Sequence, residues 1–438
     1  MGWFKGVKVM KIKQIEFGNG VSLGVINTDK FKNNWFSLSF ALPRTPENIA
    51  NVGVLANVLK RGTKKHRTIK EIERYLCSLY DLSVDITDST VGYDLIFKIQ
   101  IGFIDDVFVP LDERVNVFLG ATEFVKELLF EPLLENGEFR ADYTESEKKH
   151  RIDKIKAEIN NKDVYAFKRC NEIACEGTPL AYNGNGTIDT VSAVTPKSIY
   201  DTMQYIIGHC RAEAVFAGNY TESKEEILKG FLSELAEKRD SKDIFPQTER
   251  ISIKVFDNTK EITEQIDAKQ GRMVLSFSIP KPDDIADMSV AVFNEIFGGS
   301  PVSRLFTNVR ERLSLCYYCS SMVEKSTWRV IVRSGIDIDN REKAVNEITR
   351  QLGLLSNPEN ISEDELESAK ISILSSYDAM SDSLPNFVSW YMRMRWYGLD
   401  TDIEAVKGRL KTVTAADIAD IARGTKMQVN YFLNGKEE

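Results

Sequence analysis

The sequence predicts an α+β protein built from two homologous halves, and two internal matches carry that prediction. The first pairs residues 36–63, FSLSFALPRTPENIANVGVLANVLKRGT, with residues 273–300, MVLSFSIPKPDDIADMSVAVFNEIFGGS. The same offset sets LSFALP over LSFSIP and Gly62 over Gly299, and a single-residue gap between them sets ENIA (47–50) over DDIA (283–286). The second pairs the ends of the halves, residues 191–219 with 410–435. Self-similarity at this scale marks a repeated structural unit, and the predicted strands and helices of each copy describe antiparallel sheets with helices packed on one face.

Each element follows from local chemistry. LSFALP and LSFSIP alternate as half-buried strands do. A Pro-bearing turn with acidic residues comes next, then an apolar-spaced helix with glycine at its end. In the first copy Val54, Leu55, Val58 and Leu59 form the apolar stripe of that helix. KKHRTIKEIER (64–74) reads as a charged, solvated helix start. Residues 138–175 predict a long helical region, with its counterpart at 362–398. YNGNGTIDT (182–190) reads as a loop, since no strand and helix flank it as a phosphate cradle requires. In both closing segments a threonine, Thr195 or Thr414, stands as N-cap before a short helix and a final strand. A helix and charged linker (220–250) end the first half, which gives domains at 1–245 and 246–438.

Bulk composition excludes several functions. A formal charge of −8 is opposite in sign to a nucleic-acid-binding surface. The aromatic and basic run WYMRMRWYG (390–398) is therefore read as core packing with arginines reaching outward. No apolar run is long enough to span a membrane, and the first twenty residues lack a signal peptide's apolar core. A cytoplasmic location with reduced thiols is the expectation. Cys316 and Cys319 have redox-motif spacing, but on a strand rather than at a helix N-terminus, which weighs against a thiolate pair.

Together these features resemble the pitrilysin (insulinase, mitochondrial processing peptidase) family, over nearly the whole chain. The resemblance implies two such halves forming a clamshell. Active members carry H-x-x-E-H on the first-half helix: two histidines on one helical face hold zinc, and the glutamate acts as general base. Counting back from Gly62-Thr63, those positions are Gly53, Ala56 and Asn57, which cannot do that work. The family's third ligand, a glutamate on a later helix, has its best match in Glu158. The three histidines, His66, His150 and His209, are spaced like no ligand cluster, so no metal or cofactor is expected on this chain.

The second half differs. GGSPVSRLFTNVRERLSLCYYCSS (298–321) resembles the family element that carries an arginine and, seven residues on, a tyrosine. The matching residues are Arg310 and Tyr317, with Arg312 and Tyr318 as neighbours close enough to compete; Arg304 is read as structural. The resemblance implies that the arginine holds substrate backbone and the tyrosine donates a hydrogen bond to the oxyanion. The family usually has glycine before its Leu-x-Tyr, where this chain has Ser314. Residues 128–169 further resemble a bacterial branch named for association with elongation factor P modification. Such proteins are typically encoded beside a zinc-motif homologue.

The expected function is thus the non-zinc subunit of a heterodimeric metallopeptidase, inactive alone, with a zinc-bearing homologue as partner and peptide as substrate. The alternative is an inert homologue that holds extended peptides. An autonomous peptidase with unusual zinc ligands is a third reading.

Overall fold

A computed structural model describes residues 12–110, 115–239, 255–266, 270–280 and 286–435. The expected boundary near 245 and the turn at 281–285 fall outside the described residues. The first sheet contains β1 (Ile12–Gly18), β2 (Val21–Asn27) and β3 (Asn33–Pro43). The helices α1 (Pro46–Val58) and α2 (Ile69–Ser78) follow, then β4 (Ser83–Val91), β5 (Asp94–Ile104) and α3 (Val117–Phe130). A two-residue hairpin, β6 (Leu134–Glu135) and β7 (Glu138–Phe139), leads into α4 (Ala141–Ala157) and α5 (Lys162–Ala174). The half closes through α6 (Ile188–Ser192), α7 (Pro196–His209), β8 (Arg211–Gly218) and α8 (Glu222–Glu237).

In the second sheet, β9 (Lys260–Ile266) and β10 (Gly271–Ser278) precede α9 (Ala286–Asn294). Two π-helical segments, Glu295–Gly299 and Leu305–Arg312, lead to β11 (Cys316–Glu324) and β12 (Arg329–Ile336). Next come α10 (Arg341–Leu355), α11 (Glu363–Met380), α12 (Leu384–Tyr397), α13 (Ile403–Thr412), α14 (Ala415–Gly424) and β13 (Lys426–Gly435).

The repeat is visible in the strand order. The first sheet runs β1-β2-β8-β3-β5-β4 and the second β9-β13-β10-β12-β11, the same five positions with β1 added to the first. All neighbours are antiparallel except one equivalent pair in each sheet, β2 with β8 and β9 with β13. Those parallel pairs refine the expectation of purely antiparallel sheets. Thr195 and Thr414 cap α7 and α14 in matching capping boxes, Thr195 accepting from the Ser198 N–H and Thr414 from the Asp417 N–H.

Two compact units emerge, and the chain interleaves between them. One holds residues 1–155, 184–249 and 381–396; the other holds 156–183, 250–380 and 397–438. The helical region read at 138–175 breaks after α4, so α5 joins the second unit, while most of α12 joins the first. Each sheet thus gains a helix on the face opposite its main helical layer. In the second unit Ala166, Cys170 and Ala174 of α5 pack on Val274, Ile331, Val429 and Tyr431. In the first, Tyr391 of α12 lies on Gly24, where an added Cβ would come within 2.6 Å of the phenol oxygen. Trp390, Tyr391 and Trp396 are buried and Arg393 is exposed, as the packing reading of 390–398 expects, but Arg395 turns inward to the buried Glu213.

Candidate functional site

The motif helix α1 is buried along almost its whole length. Every residue from Ile49 to Ala56 is buried, as are Val58 and Leu59. A helix that is apolar on all sides belongs in a core, so the helix is kept for packing. Asn57 turns its amide back along the helix to the Gly53 carbonyl, at 3.2 Å.

Gly53 has a specific occupant against it. A Cβ there would lie 1.9 Å from Cζ of Arg151, so glycine is what lets the guanidinium of α4 enter. Arg151 is 6% exposed, and its hydrogen bonds are well supplied. It donates to both Asp88 oxygens (3.2 and 3.1 Å), to the Asn185 and Gly184 carbonyls (3.0 Å each) and to the Ile49 carbonyl (3.5 Å). A buried cation with an anionic partner and several acceptors meets the condition for burying charge. The loop thus presents the Gly184 and Asn185 carbonyls to a guanidinium, while residues 188–190, expected as loop, open α6 behind the Thr187 cap.

This arrangement does not fit zinc. A dication would meet a fixed positive charge at position 53 and no histidine, carboxylate or thiolate at 53, 56 or 57. Glu158, the expected third-ligand match, lies in the second unit and accepts hydrogen bonds from Lys168 and Asn183. Glu158 lies beyond the end of α4, and the α4 residue that reaches α1 is Arg151. Among the described residues no three His, Cys, Asp or Glu side chains converge as a metal site would require. His66 sits 2.9 Å from Glu127 and stacks on Tyr75; His150 lies by Glu147; His209 stacks on Tyr205.

The Arg/Tyr element is built differently. Leu305–Arg312 winds as a π-helix, closed by the Leu313 N–H on the Asn308 carbonyl at 3.2 Å. Such segments recur at functional sites. Arg310, near its end, lies over the Phe306 ring (4.7 Å to the centroid) and 3.4 Å from Glu311, with its side chain 41% exposed. Arg304 is bound to Glu365 and the Asn360 carbonyl, the structural role expected. Arg312 is exposed and, with Arg304 and Arg350, lines a separate cavity of about 410 Å³.

After the helix, Ser314 adopts φ +48°, the left-handed region that favours glycine. It stands where the family usually has glycine, so the turn survives the substitution at an energetic cost. Ser314→Gly should raise stability by about 0.5–1 kcal/mol, relief of that strain less glycine's chain entropy. Urea unfolding checks it; an unchanged or lower midpoint would contradict the reading.

The turn delivers the chain to β11, an edge strand, with a β-bulge. Cys316 pairs with Ile336 and Tyr318 with Gly335, which leaves Tyr317 as the extra residue. Bulges re-aim side chains in this way. Tyr317 is 54% exposed, and its hydroxyl donates to Asp337 at 3.3 Å. Tyr318, its neighbour, is half-buried and hydrogen-bonded to Asp163, and burial pushes its phenol well above the ordinary range. The two tyrosines are thereby told apart: one faces solvent and the other is held inside.

Comparisons with known proteins agree with this picture. The family described as "Peptidase M16 inactive domain" matches residues 193–373. A protein of Bacillus subtilis (strain 168), described as "Probable inactive metalloprotease YmfF", is 27% identical over 430 residues, covering 95% of this chain and 96% of its own. A solved structure of a conserved protein from Enterococcus faecalis V583 superposes with a TM-score of 0.87 at 23% identity, over 98% of this chain and 99% of that one. A protease from Helicobacter pylori gives 0.80 at 13% identity (97% and 100% covered). A peptidase M16 inactive domain from Pseudomonas fluorescens gives 0.78 at 15% (97% and 98%). The chain is thus similar to inactive members of the pitrilysin, or M16, peptidase family, and where the resemblance places a zinc motif it holds a buried arginine.

Proposed function

We propose that this chain is the non-zinc subunit of a two-chain pitrilysin-type peptidase, lending Arg310 and Tyr317 to a site whose metal and general base belong to a homologous partner. The observation that carries the reading is the contrast between the two elements. The zinc-motif position is filled by the buried Arg151, while Arg310 and Tyr317 keep their spacing and their exposure. A fixed cation and an aimed O–H are the groups that stabilise a peptide and a developing oxyanion.

Purified alone, the chain should hydrolyse no peptide and carry no stoichiometric zinc. Mixed with a homologue that bears H-x-x-E-H, it should support hydrolysis, with one zinc per heterodimer. Hydrolysis by the isolated chain would overturn the proposal. Tight binding of unfolded peptides without a partner, together with no gain in hydrolysis on mixing, would leave the inert peptide-holding alternative.

A further inference from the structure

The β-bulge has a second consequence, for the cysteines that flank it. On a regular strand, residues three apart point to opposite faces and are separated by about 10 Å, three steps of about 3.3 Å. Here the extra residue at Tyr317 shifts the register. Cys316 pairs with Ile336 and Cys319 with Ser334, two positions apart on β12 and therefore on one face. The effective separation falls to two steps, about 6.6 Å between Cα atoms, inside the upper end of the range a disulfide can span, about 4.4–6.8 Å.

The surroundings suit thiol chemistry. Cys316 is half-buried and Cys319 buried. The Cys319 thiol's hydrogen bond to Cys316 holds the Cys316 thiol below its ordinary range, against the burial that opposes it; Ser334 and the charge of Arg310 act in the same direction. Cys319 is pushed well above the ordinary range, first by its hydrogen bond to Cys316 and then by burial. One sulfur is thus suited to attack and the other to resolve.

We propose that Cys316 and Cys319 form a reversible dithiol–disulfide pair that reacts with low-molecular-weight disulfides. The Cys316 thiolate attacks one sulfur of the small disulfide RSSR, breaking its S–S bond and expelling RS⁻, which takes up a proton. The Cys319 sulfur, giving up its proton, then attacks Cys316 and expels the second RS⁻. Two protein thiols and one RSSR become one protein disulfide and two RSH. Half-buried on an edge strand, Cys316 leaves the bond open to small thiols, which reduce it again. It would clamp the bulge that presents Tyr317. That last consequence rests on the proposed use of Tyr317; the thiol chemistry does not.

The test uses the full chain with the exposed Cys77 replaced by serine, which leaves five of the six cysteines. After treatment with oxidised glutathione, denaturation and alkylation, intact mass and tryptic mapping are read. The expected result is the loss of two alkylatable thiols, no retained glutathione, and a cross-link within residues 313–325. Dithiothreitol should return all five. With Cys319→Ser in the same background, the reaction should stop at one glutathione bound to Cys316. Five alkylatable thiols after treatment, a persistent glutathione adduct with both cysteines present, or a cross-link between other cysteines would each overturn the proposal.

Discussion

Arg151→Ala should lower the stability of the unit that holds α1 by about 3 kcal/mol, the scale for removing one partner of a buried charge pair. The loss has two parts. Asp88, 18% exposed at its side chain, is left with an unmatched carboxylate, and the Ile49, Gly184 and Asn185 carbonyls lose their donor. In urea unfolding at neutral pH the effect should fall on that unit's transition alone. Gly53→Ala should also destabilise, because the added methyl meets the guanidinium. In the double variant the two losses should be well short of additive, since Arg151→Ala removes the group that the Gly53→Ala methyl collides with. Strict additivity would mean that the contact between Gly53 and Arg151 does not govern the site.

The same contact bears on metal binding. Rebuilding the motif as G53H/A56E/N57H should not give stoichiometric zinc while Arg151 remains, for a fixed cation stands where the ligands must converge. Elemental analysis of the purified triple variant decides this, and one zinc per chain would refute it.

The second large effect concerns the proposed complex. Tyr317→Phe should reduce kcat about 10²-fold with KM nearly unchanged, the signature of a donor that matters only as the oxyanion develops. Arg310→Ala should act mainly on KM, because a cation that holds substrate backbone binds ground and transition states alike. Both side chains are substantially exposed, so neither substitution should disturb the fold.

Much of the fold was legible because its signals are local. The Thr195 and Thr414 caps and the apolar run of α1 depend on neighbours within a few residues, whereas β3 and β10, expected as half-buried alternating strands, are buried on both faces because a helix covers each side. What escaped the sequence depends on the other side of a contact. Nothing in KIKAEINNK reveals that the chain breaks near Glu158 and sends α5 to the second unit. The fit of Arg151 into the notch at Gly53 joins residues almost a hundred positions apart, and arginine is not a residue type that a ligand search selects. The spacing of Arg310 and Tyr317 was readable; the bulge that turns Tyr317 outward was not, because register is set jointly with β12. For the same reason CYYC, read as strand, gave no sign that the bulge brings Cys316 and Cys319 to one face. The left-handed Ser314 left one trace, a serine where the resemblance implies glycine.

The most direct test is to titrate a zinc-motif homologue with this chain and follow peptide hydrolysis, using wild-type chain in one series and the R310A/Y317F double variant in the other. The account predicts a rate that rises to a plateau at one equivalent of wild-type chain and stays near the partner's own baseline with the double variant, although both chains assemble equally well. Equal plateaus in the two series, or a homologue already at full rate alone, would contradict it.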